Sequence, residues 1–255
     1  MDINRLLLRI RPIELAGVLK SLLRISYREV PIGNRTFWLD PASNFGSRLM
    51  ADRFYEKELS ATISSILKPG DVFVDLGANE GYFSILASEI VGDSGHVYSI
   101  EPQARLWPVI IRNFMLNGRT NYRLIPYAVG DSEGFIDLIL NPSLNTGSST
   151  VVKSFRRRSF AVQKAGILPL FRAFEKFGIK KVTALKIDIE GFELNALRSF
   201  GKGLGEGWVK NILLETHPLQ LKHLGQSVDE IHALLKECRY ELVGSGDFEH
   251  WTRRA

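Results

Sequence analysis

The amino-acid sequence predicts an α/β protein in which a largely parallel sheet carries helices on both faces. Short apolar runs alternate with helical patterns along most of the chain, as in strand-helix-strand units. The run DVFVDL is apolar almost throughout, which is typical of a strand buried on both faces. With 255 residues, 45% of them hydrophobic, the chain can bury a full core. One large domain is therefore expected over residues 47–255, with an extension over residues 1–46.

The extension is predicted to contain a helix followed by a β-hairpin. Its first part, MDINRLLLRIRPIELAGVLKSLLRI, is a basic amphipathic stretch that is expected to pack on the domain as a lid. Peripheral contact with a membrane surface and self-association are the alternatives. Residues 27–40 contain two short strand patterns around Gly33 and Asn34, a dipeptide that is typical of a hairpin.

The main domain opens with a helix predicted over Ser47–Leu67, which ends at Pro69 and Gly70. Strands are predicted at DVFVDL, HVYSIE, YRLIPYAVG, FIDLIL, TALKIDIEG, KNILLETHP, YELVG and FEHWT. Helices are predicted at GYFSILASEIVG, ARLWPVIIRNFMLNG, the segment near 167–177, FELNALRSF and SVDEIHALLKEC. Ligands of such a sheet bind beyond the carboxyl ends of the strands, so residues that end strands are the candidates for chemistry.

Composition and charge disfavour several classes of protein. The single cysteine, Cys238, excludes an internal disulfide framework and a Cys-x-x-Cys metal site. Apolar runs of 18 or more residues are absent, and charged residues interrupt the N-terminus, so a cytoplasmic location is expected. The net charge of +5 is modest. The basic cluster Lys153–Phe160 (KSFRRRSF) suits phosphate contact and base stacking, but such a run is more typical of a solvated face, and nucleic acid is a disfavoured partner.

The stretch VDLGANEGYF places an acid at a strand end and then two glycines that let the backbone approach a ligand. It matches neither a phosphate loop nor the dinucleotide pattern GxGxxG. Glu101 ends the next strand, twenty residues after Gly81, where a carboxylate can bind both ribose hydroxyls. A nucleoside that carries an ammonium group, such as S-adenosylmethionine, fits this pattern; a plain strand-to-helix turn is the alternative. The predicted cofactor-binding residues are Asp75, Gly77, Ala78, Asn79, Gly81, Glu101 and Asp131.

Several motifs in order resemble those of the FkbM family of S-adenosylmethionine-dependent methyltransferases. They are FYEKEL, VFVDLGANEGYFS, VYSIEP, AVGDSEG, LKIDIEGFELNALR and ILLETHP, and together they span Phe54–Pro218. The resemblance implies a class I methyltransferase fold, a Rossmann-like sheet of seven mostly parallel strands. It also implies methylation of a hydroxyl on a sugar, glycan or natural-product acceptor, and it supports a hydrogen bond from adenine to Asp131.

Four polar side chains at the ends of two later strands form the candidate catalytic corner. They are Asp188, Glu190, Glu215 and His217, and helix capping by Asp188 is the plain structural alternative. An imidazole with a pKa of about 6.5 can take a hydroxyl proton near neutral pH, and a buried carboxylate can do the same. The favoured prediction is general-base catalysis with no resident metal. The alternative is a divalent ion on Asp188, Glu215 and His217. Lys186 is predicted to pair with Asp188.

Two other functions compete with this prediction. Asn141-Pro142 resembles the start of the Asn-Pro-Pro-Tyr loop of amino-directed methyltransferases, which would favour an RNA N-methyltransferase. Ser143-Leu144 follows instead of the second proline and the aromatic residue, which disfavours this function. A non-catalytic nucleotide-binding module on the same sheet is the third hypothesis.

Overall fold

The computed structural model describes residues 10, 19–20, 22–141 and 161–254. Most of the predicted N-terminal helix and the whole basic cluster Lys153–Phe160 lie outside these residues. The strands are β1 (Arg28–Ile32), β2 (Arg35–Leu39), β3 (Val72–Leu76), β4 (His96–Ile100), β5 (Tyr122–Ile125), β6 (Ala128–Gly130), β7 (Gly134–Leu140), β8 (Ala161–Pro169), β9 (Val182–Ile187), β10 (Val209–Leu214), β11 (Tyr240–Ser245) and β12 (Glu249–Arg253). The helices are α1 (Asn44–Asp52), α2 (Lys57–Ile66), α3 (Tyr82–Val91), α4 (Trp107–Leu116), α5 (Leu170–Phe177), α6 (Glu193–Gly205), α7 (Pro218–His223) and α8 (Val228–Glu237).

The central sheet has seven strands in the order β11-β12-β10-β9-β3-β4-β5. Strands β10, β9, β3, β4 and β5 are parallel, and β12 pairs antiparallel with both β10 and β11. The predicted seven-stranded, mostly parallel sheet is therefore confirmed. In this order β3 lies between β4 and β9, so the carboxyl ends of three neighbouring strands meet at one edge of the sheet.

Both faces of the sheet are covered, as the apolar strands predict. Val74 and Leu76 of β3 belong to one core with helices α5, α6 and α8. Phe73 of the same strand belongs to a second core with α2, α3 and α4. Successive side chains of a strand point to opposite faces of the sheet. Because both faces are covered, Phe73 and Val74 are both fully buried. This double burial explains why the strand carries apolar residues in succession.

A smaller sheet of three strands, in the order β6-β8-β7, stands beside the end of the central sheet. The sequence predicts a helix near 167–177, and this prediction is wrong for its first part. Residues 161–169 form β8, and the helix α5 begins only at Leu170. Strand β8 pairs parallel with β6 and antiparallel with β7. These partners are distant in the chain, so the local pattern does not reveal the strand.

The helix predicted over Ser47–Leu67 is interrupted. Helix α1 ends at Asp52, and α2 begins at Lys57. Arg53, with φ of 64°, and Glu56, with φ of 42°, adopt left-handed backbone conformations between the two helices. The hydrophobic period continues across the break, which is why the sequence alone favours one helix.

The predicted N-terminal hairpin is present as β1 and β2, which pair antiparallel around Gly33. It packs on helix α4: the backbone N–H of Trp38 donates to Asn113 Oδ1 at 2.6 Å, and the Arg112 guanidinium lies 3.8 Å from the centre of the Trp38 ring. Phe37 is fully buried in the core on this face. The division between extension and domain at residue 46 stays a prediction. Among the described helices, none has the length and apolar character needed to cross a bilayer.

Candidate active site

A cavity of about 220 Å³ opens at the carboxyl ends of β3, β4, β9 and β10. One side is formed by the loop Gly77–Gly81, here called the donor loop, and by Glu101. Another part of the cavity wall is formed by Asp188, Glu190 and Glu215. Apolar side chains of the smaller sheet, which include Val129, Leu138 and Ile167, close the wall between them. The cavity thus brings together two groups of residues that the sequence assigns to different roles.

Gly77 lies where the donor loop meets the end of strand β9. The backbone N–H groups of Gly77 and Ala78 both donate to the Ile100 carbonyl, at 3.0 and 3.1 Å. Gly77 has φ of +86°, and a Cβ there would stand 1.8 Å from the backbone oxygen of Asp188. The contact between two protein backbones therefore requires a glycine at this position.

Glu101 is almost completely buried, with 2% exposure, and its carboxylate accepts two backbone hydrogen bonds. The Asn79 N–H donates to one oxygen at 2.8 Å, and the Gln103 N–H donates to the other at 2.9 Å. Burial raises the pKa of Glu101 to about 7, even though these hydrogen bonds lower it. Each carboxylate oxygen keeps a further lone pair, so the group can also accept hydrogen bonds from a ligand in the cavity.

The other predicted cofactor-binding residues are placed differently. Asp75 is fully buried: it accepts a hydrogen bond from Ser84 at 2.7 Å and lies 3.5 Å from Lys186 Nζ, so its carboxylate is not part of the cavity wall. Ala78 is buried, and Gly81 starts helix α3 and packs on Ile110.

Asp131 lies outside the cavity, in contrast to its predicted place beside adenine. Its side chain is exposed and accepts a hydrogen bond from Asn195 at 3.3 Å. Nearer the cavity, Gln103 and Tyr127 take part in its wall. Strand β6, which carries Val129 to the cavity, ends at Gly130, so Asp131 lies beyond the strand.

The predicted catalytic residues Asp188, Glu190, Glu215 and His217 do converge, and they are called the polar corner below. The Nε2 atom of His217 lies 3.8 Å from Asp188 Oδ1, 3.7 Å from Glu190 Oε2 and 3.9 Å from Glu215 Oε1. Its Nδ1 atom lies 2.8 Å from Oε1 of Glu193. Three carboxylates thus surround one edge of the imidazole, and a fourth holds the opposite edge.

The charges of the polar corner change its proton affinities. Burial opposes a charged imidazole, but the hydrogen bond and charge of Glu193, with Glu190 and Asp188, raise the pKa of His217 to about 9. Burial, together with Asp188, raises the pKa of both Glu190 and Glu215 to about 7. These charges therefore favour the protonated form of His217 near neutral pH. The expectation that His217 takes the acceptor proton rests on an unperturbed pKa, and it stays a prediction.

Lys186 pairs with Asp188, as the sequence predicts, and it also joins the two sides of the cavity. Its Nζ lies 3.4 Å from Asp188 Oδ2, 3.5 Å from Asp75 Oδ1 and 3.3 Å from the Gly77 carbonyl oxygen. Burial opposes its charge, but Asp188, Asp75 and Glu56 together raise the pKa of Lys186. The lysine is 3% exposed, so its charge is compensated by these acids rather than by water.

Residues that sequence reasoning missed also shape the site. Tyr55, from the interruption between α1 and α2, lines the cavity and packs against Phe45, Tyr82 and Phe83. Glu193 is fully buried beneath His217. Its position in the first turn of α6 is equally typical of an acid that stabilises a helix N-terminus, so the sequence alone does not reveal its contact.

Backbone strain accompanies the polar corner. Glu190 adopts φ of 53°, and Gly191 follows with φ of 103°. A Cβ on Gly191 would lie 2.4 Å from Cβ of Gln220, whose side chain donates to Glu190 at 3.1 Å. The competing Asn141-Pro142 loop lies largely outside the described residues; the Asn141 carbonyl accepts a hydrogen bond from Arg105 at 2.7 Å.

The fold and the cavity define a class I methyltransferase. A family model for the methyltransferase FkbM domain matches residues 75–242, which is more than half of the chain. The chain belongs to this family, and S-adenosylmethionine is its methyl donor.

Individual relatives are distant. Methyltransferase sdnD of Sordaria araneosa is 25% identical over 204 residues, which cover 67% of this chain and 73% of that protein. Protein-L-isoaspartate O-methyltransferase of Thermosipho melanesiensis is 37% identical over 70 residues, or 27% of this chain, and the match spans only 34% of that enzyme. A solved structure of a candidate rRNA methylase from Clostridium thermocellum shares 10% identity with a TM-score of 0.51, over 78% of this chain and 95% of that chain. This last likeness concerns the fold alone.

The atoms that line the cavity also fit S-adenosylmethionine, independently of the comparison with relatives. The Oδ1 atom of Asn79 lines the donor loop side, is buried, and lacks a hydrogen-bond partner within the part of the chain that the structure describes. Such an atom is stable when a ligand donates to it. Together with the Glu101 carboxylate, it offers acceptors to the hydroxyl and ammonium groups of S-adenosylmethionine.

Proposed function

We propose that this protein methylates a hydroxyl group of a small-molecule acceptor, such as a sugar, a glycan or a natural product. The observation that carries the proposal is that Gly77 and Asn79 of the donor loop line the same cavity as Asp188, Glu190 and Glu215 of the polar corner. Methyl transfer requires donor and acceptor atoms to be aligned near contact distance, and alignment alone can supply much of the rate.

On the donor side, Glu101 accepts hydrogen bonds from the ribose hydroxyls of S-adenosylmethionine. Asn79 accepts a hydrogen bond from the ammonium group of its amino-acid part. S-adenosylmethionine supplies a methyl group on a positively charged sulfur. The buried ion pair of Asp75 and Lys186 supports the donor loop. The apolar wall of Val129, Leu138 and Ile167 excludes water from one side of the reaction path.

On the acceptor side, the polar corner positions the hydroxyl and takes its proton. The acceptor oxygen forms a bond to the methyl carbon, the carbon–sulfur bond breaks, and its electron pair stays on sulfur. The hydroxyl proton passes to a carboxylate of the corner and then to solvent. Asp188, Glu190 and Glu215 all reach the cavity, so each is within the region where the proton is released.

The chemical character of the corner supports a hydroxyl over a nucleobase amine. An amine-directed site of the Asn-Pro-Pro-Tyr type uses an amide and a backbone carbonyl, and an aromatic side chain stacks on the base. Here three carboxylates of the polar corner line the cavity, and an imidazole lies beside them, with its Nε2 3.8 Å from Asp188 Oδ1. Acidic groups also disfavour the approach of a nucleic acid backbone, since its phosphates carry negative charge.

The experiment has two stages. Calorimetry with S-adenosylhomocysteine tests donor binding, and absence of binding would contradict the whole proposal in favour of a non-catalytic module. Transfer of a labelled methyl group is then measured with nucleotide sugars, fractionated small hydroxylated metabolites and RNA in parallel. We expect label in a hydroxylated small molecule, and none in the same acceptor with the Asp188→Asn variant. Label confined to RNA would keep the methyltransferase but overturn the acceptor class.

A further inference from the structure

We propose that Asp188, Glu215 and His217 bind a divalent cation, Mg²⁺ or Mn²⁺, beside the donor cavity. Each of the three residues offers one ligand atom, and these atoms all lie within 4.8 Å of one another. The role we give to this ion rests on the proposed O-methylation, but the binding itself does not. The sequence favours a metal-free corner, and the arrangement of the side chains reverses that preference.

The separations between these atoms suit a shared ion. His217 Nε2 lies 3.8 Å from Asp188 Oδ1 and 3.9 Å from Glu215 Oε1, which is too long for hydrogen bonds. Around an octahedral ion with bonds of about 2.1 Å, neighbouring ligands are about 3.0 Å apart and opposite ligands about 4.2 Å apart. The observed distances fall between these values, so small side-chain movements complete the coordination.

A separate carboxylate outside this set orients the imidazole for metal binding. Glu193 is fully buried, and its Oε1 lies 2.8 Å from His217 Nδ1 and accepts the Gly191 N–H at 2.9 Å. Occupation of Nδ1 turns Nε2 towards the carboxylates of Asp188 and Glu215. Metal-binding histidines commonly donate their other ring N–H to a carboxylate in this way, which fixes the ring and the tautomer.

Acidic groups outnumber basic groups around the polar corner. Glu193 Oε2 is buried and has no hydrogen-bond partner among the residues that the structure describes. The two oxygens of Asp188 have different neighbours: Oδ2 faces Lys186 at 3.4 Å, and Oδ1 faces His217. The carboxylates packed around these two basic residues are Asp75, Asp188, Glu190, Glu193 and Glu215. Acids crowded together in such excess repel one another, and a dication offsets that repulsion.

The ligand types select the class of ion. Two carboxylate oxygens and one imidazole suit Mg²⁺ or Mn²⁺, whereas thiolates, which soft ions prefer, are absent from this described site. Three protein ligands leave further coordination positions, and Asp188 and Glu215 also line the cavity. An ion in this place would bind the acceptor hydroxyl and favour loss of its proton.

The direct test is Mn²⁺ binding to the full chain, followed by electron paramagnetic resonance and without any acceptor. We expect one bound ion per chain, competed by Mg²⁺. His217→Ala and Glu215→Gln should each weaken Mn²⁺ binding at least tenfold. Glu193→Gln should weaken it about 10- to 100-fold, as expected for a residue that orients a metal ligand.

His232→Ala is the matched control, because His232 Nε2 lies 2.8 Å from Glu249 Oε1 in a histidine–carboxylate pair that is not part of the polar corner. This variant should bind Mn²⁺ like the unmodified protein. Retained binding of S-adenosylhomocysteine shows that each variant is folded. Glu215→Gln should disturb folding least, because 36% of the Glu215 side chain is exposed to solvent.

Failure of this inference is distinguishable from failure of the proposed function. Absence of Mn²⁺ binding, or binding unchanged in both His217→Ala and Glu215→Gln, overturns the metal site even if methyl transfer to a hydroxyl is observed. Specific Mn²⁺ binding that these variants weaken supports the metal site even if no hydroxylated acceptor is methylated.

Discussion

The two sides of the cavity consist of different kinds of chemical group. The donor side consists mainly of backbone, with one carboxylate, Glu101, held by two N–H groups and 2% exposed. The other side consists of ionisable side chains that are partly exposed, among them Asp188 at 29% and Glu215 at 36%. A fixed backbone recognises an invariant ligand with little loss of entropy, whereas clustered charges supply reactivity at a cost in folding stability. This difference is consistent with the proposed division between donor binding and chemistry on the acceptor.

The two sides also meet, so they are not independent. Gly77 of the donor loop touches the backbone of Asp188, and Lys186 contacts the Gly77 carbonyl, Asp75 and Asp188 together. Backbone strain is concentrated at Glu190, which belongs to the polar corner. Strain of this kind is retained where surrounding contacts enforce it, and it clusters at functional sites.

The largest expected effect is on turnover. Asp188→Asn and His217→Ala should each lower turnover by about 10² to 10⁴ while donor affinity is kept, because the proposed mechanism has these side chains act on the acceptor. The measurement is labelled methyl transfer, with calorimetry of S-adenosylhomocysteine on the same samples and His232→Ala as a control. Loss of donor affinity together with turnover would move Asp188 to the donor side. Full turnover in both variants would remove the polar corner from the mechanism.

If EDTA removes the activity and Mg²⁺ or Mn²⁺ restores it, the divalent ion takes part in methyl transfer.

The contact between the two sides is tested by Gly77→Ala. Its Cβ would meet the Asp188 carbonyl oxygen at 1.8 Å, in a backbone with φ of +86°. Strain and overpacking should lower the free energy of unfolding by about 2 to 5 kcal/mol, measured by urea denaturation. Gly118→Ala is the matched control, because Gly118 has φ of +61° and open space around it. It should lose only about 1 kcal/mol, and equal losses in the two variants would contradict the contact.

Donor affinity is tested by Glu101→Ala. The variant should bind S-adenosylhomocysteine about 2 to 3 kcal/mol more weakly, as expected for hydrogen bonds to a charged group. Asp131→Ala distinguishes the sequence prediction from the structure, since Asp131 lies outside the cavity. We expect its donor affinity to be unchanged. Normal binding by Glu101→Ala would remove that residue from the donor site.

The smallest effect concerns pH. Burial raises the pKa of Glu101 to about 7, and ribose hydroxyls donate to the ionised form. Donor binding should therefore be strongest above pH 7. Below pH 7 the carboxyl group must lose a proton on binding, so affinity should fall by up to about tenfold per pH unit. Calorimetry between pH 5.5 and 8 measures this slope, and Glu101→Gln should abolish it. A slope that persists in the variant would assign the proton to another group.

Much of this protein follows from local patterns in the sequence. The apolar run that forms β3 predicts a strand buried on both faces, and both faces are covered. Residues at the ends of β9 and β10 are predicted to meet because parallel strands end at one edge of the sheet, and Asp188 and His217 do meet. The hairpin at Gly33 and the pairing of Lys186 with Asp188 follow from the same short-range rules.

Only the tertiary structure decided how the remaining groups are used. Strand β8 exists because β6 and β7 pair with it, and the sequence near Ala161–Pro169 carries no equivalent local signal. Asp75 ends a strand beside the donor loop, yet Lys186 and Ser84 bury its carboxylate below the cavity. Glu193 could equally stabilise a helix N-terminus, and its contact with His217 depends on how α6 packs against the end of β10. Secondary structure and strand ends depend on neighbours in the chain, whereas the charge state and partner of a side chain depend on groups that folding brings from elsewhere.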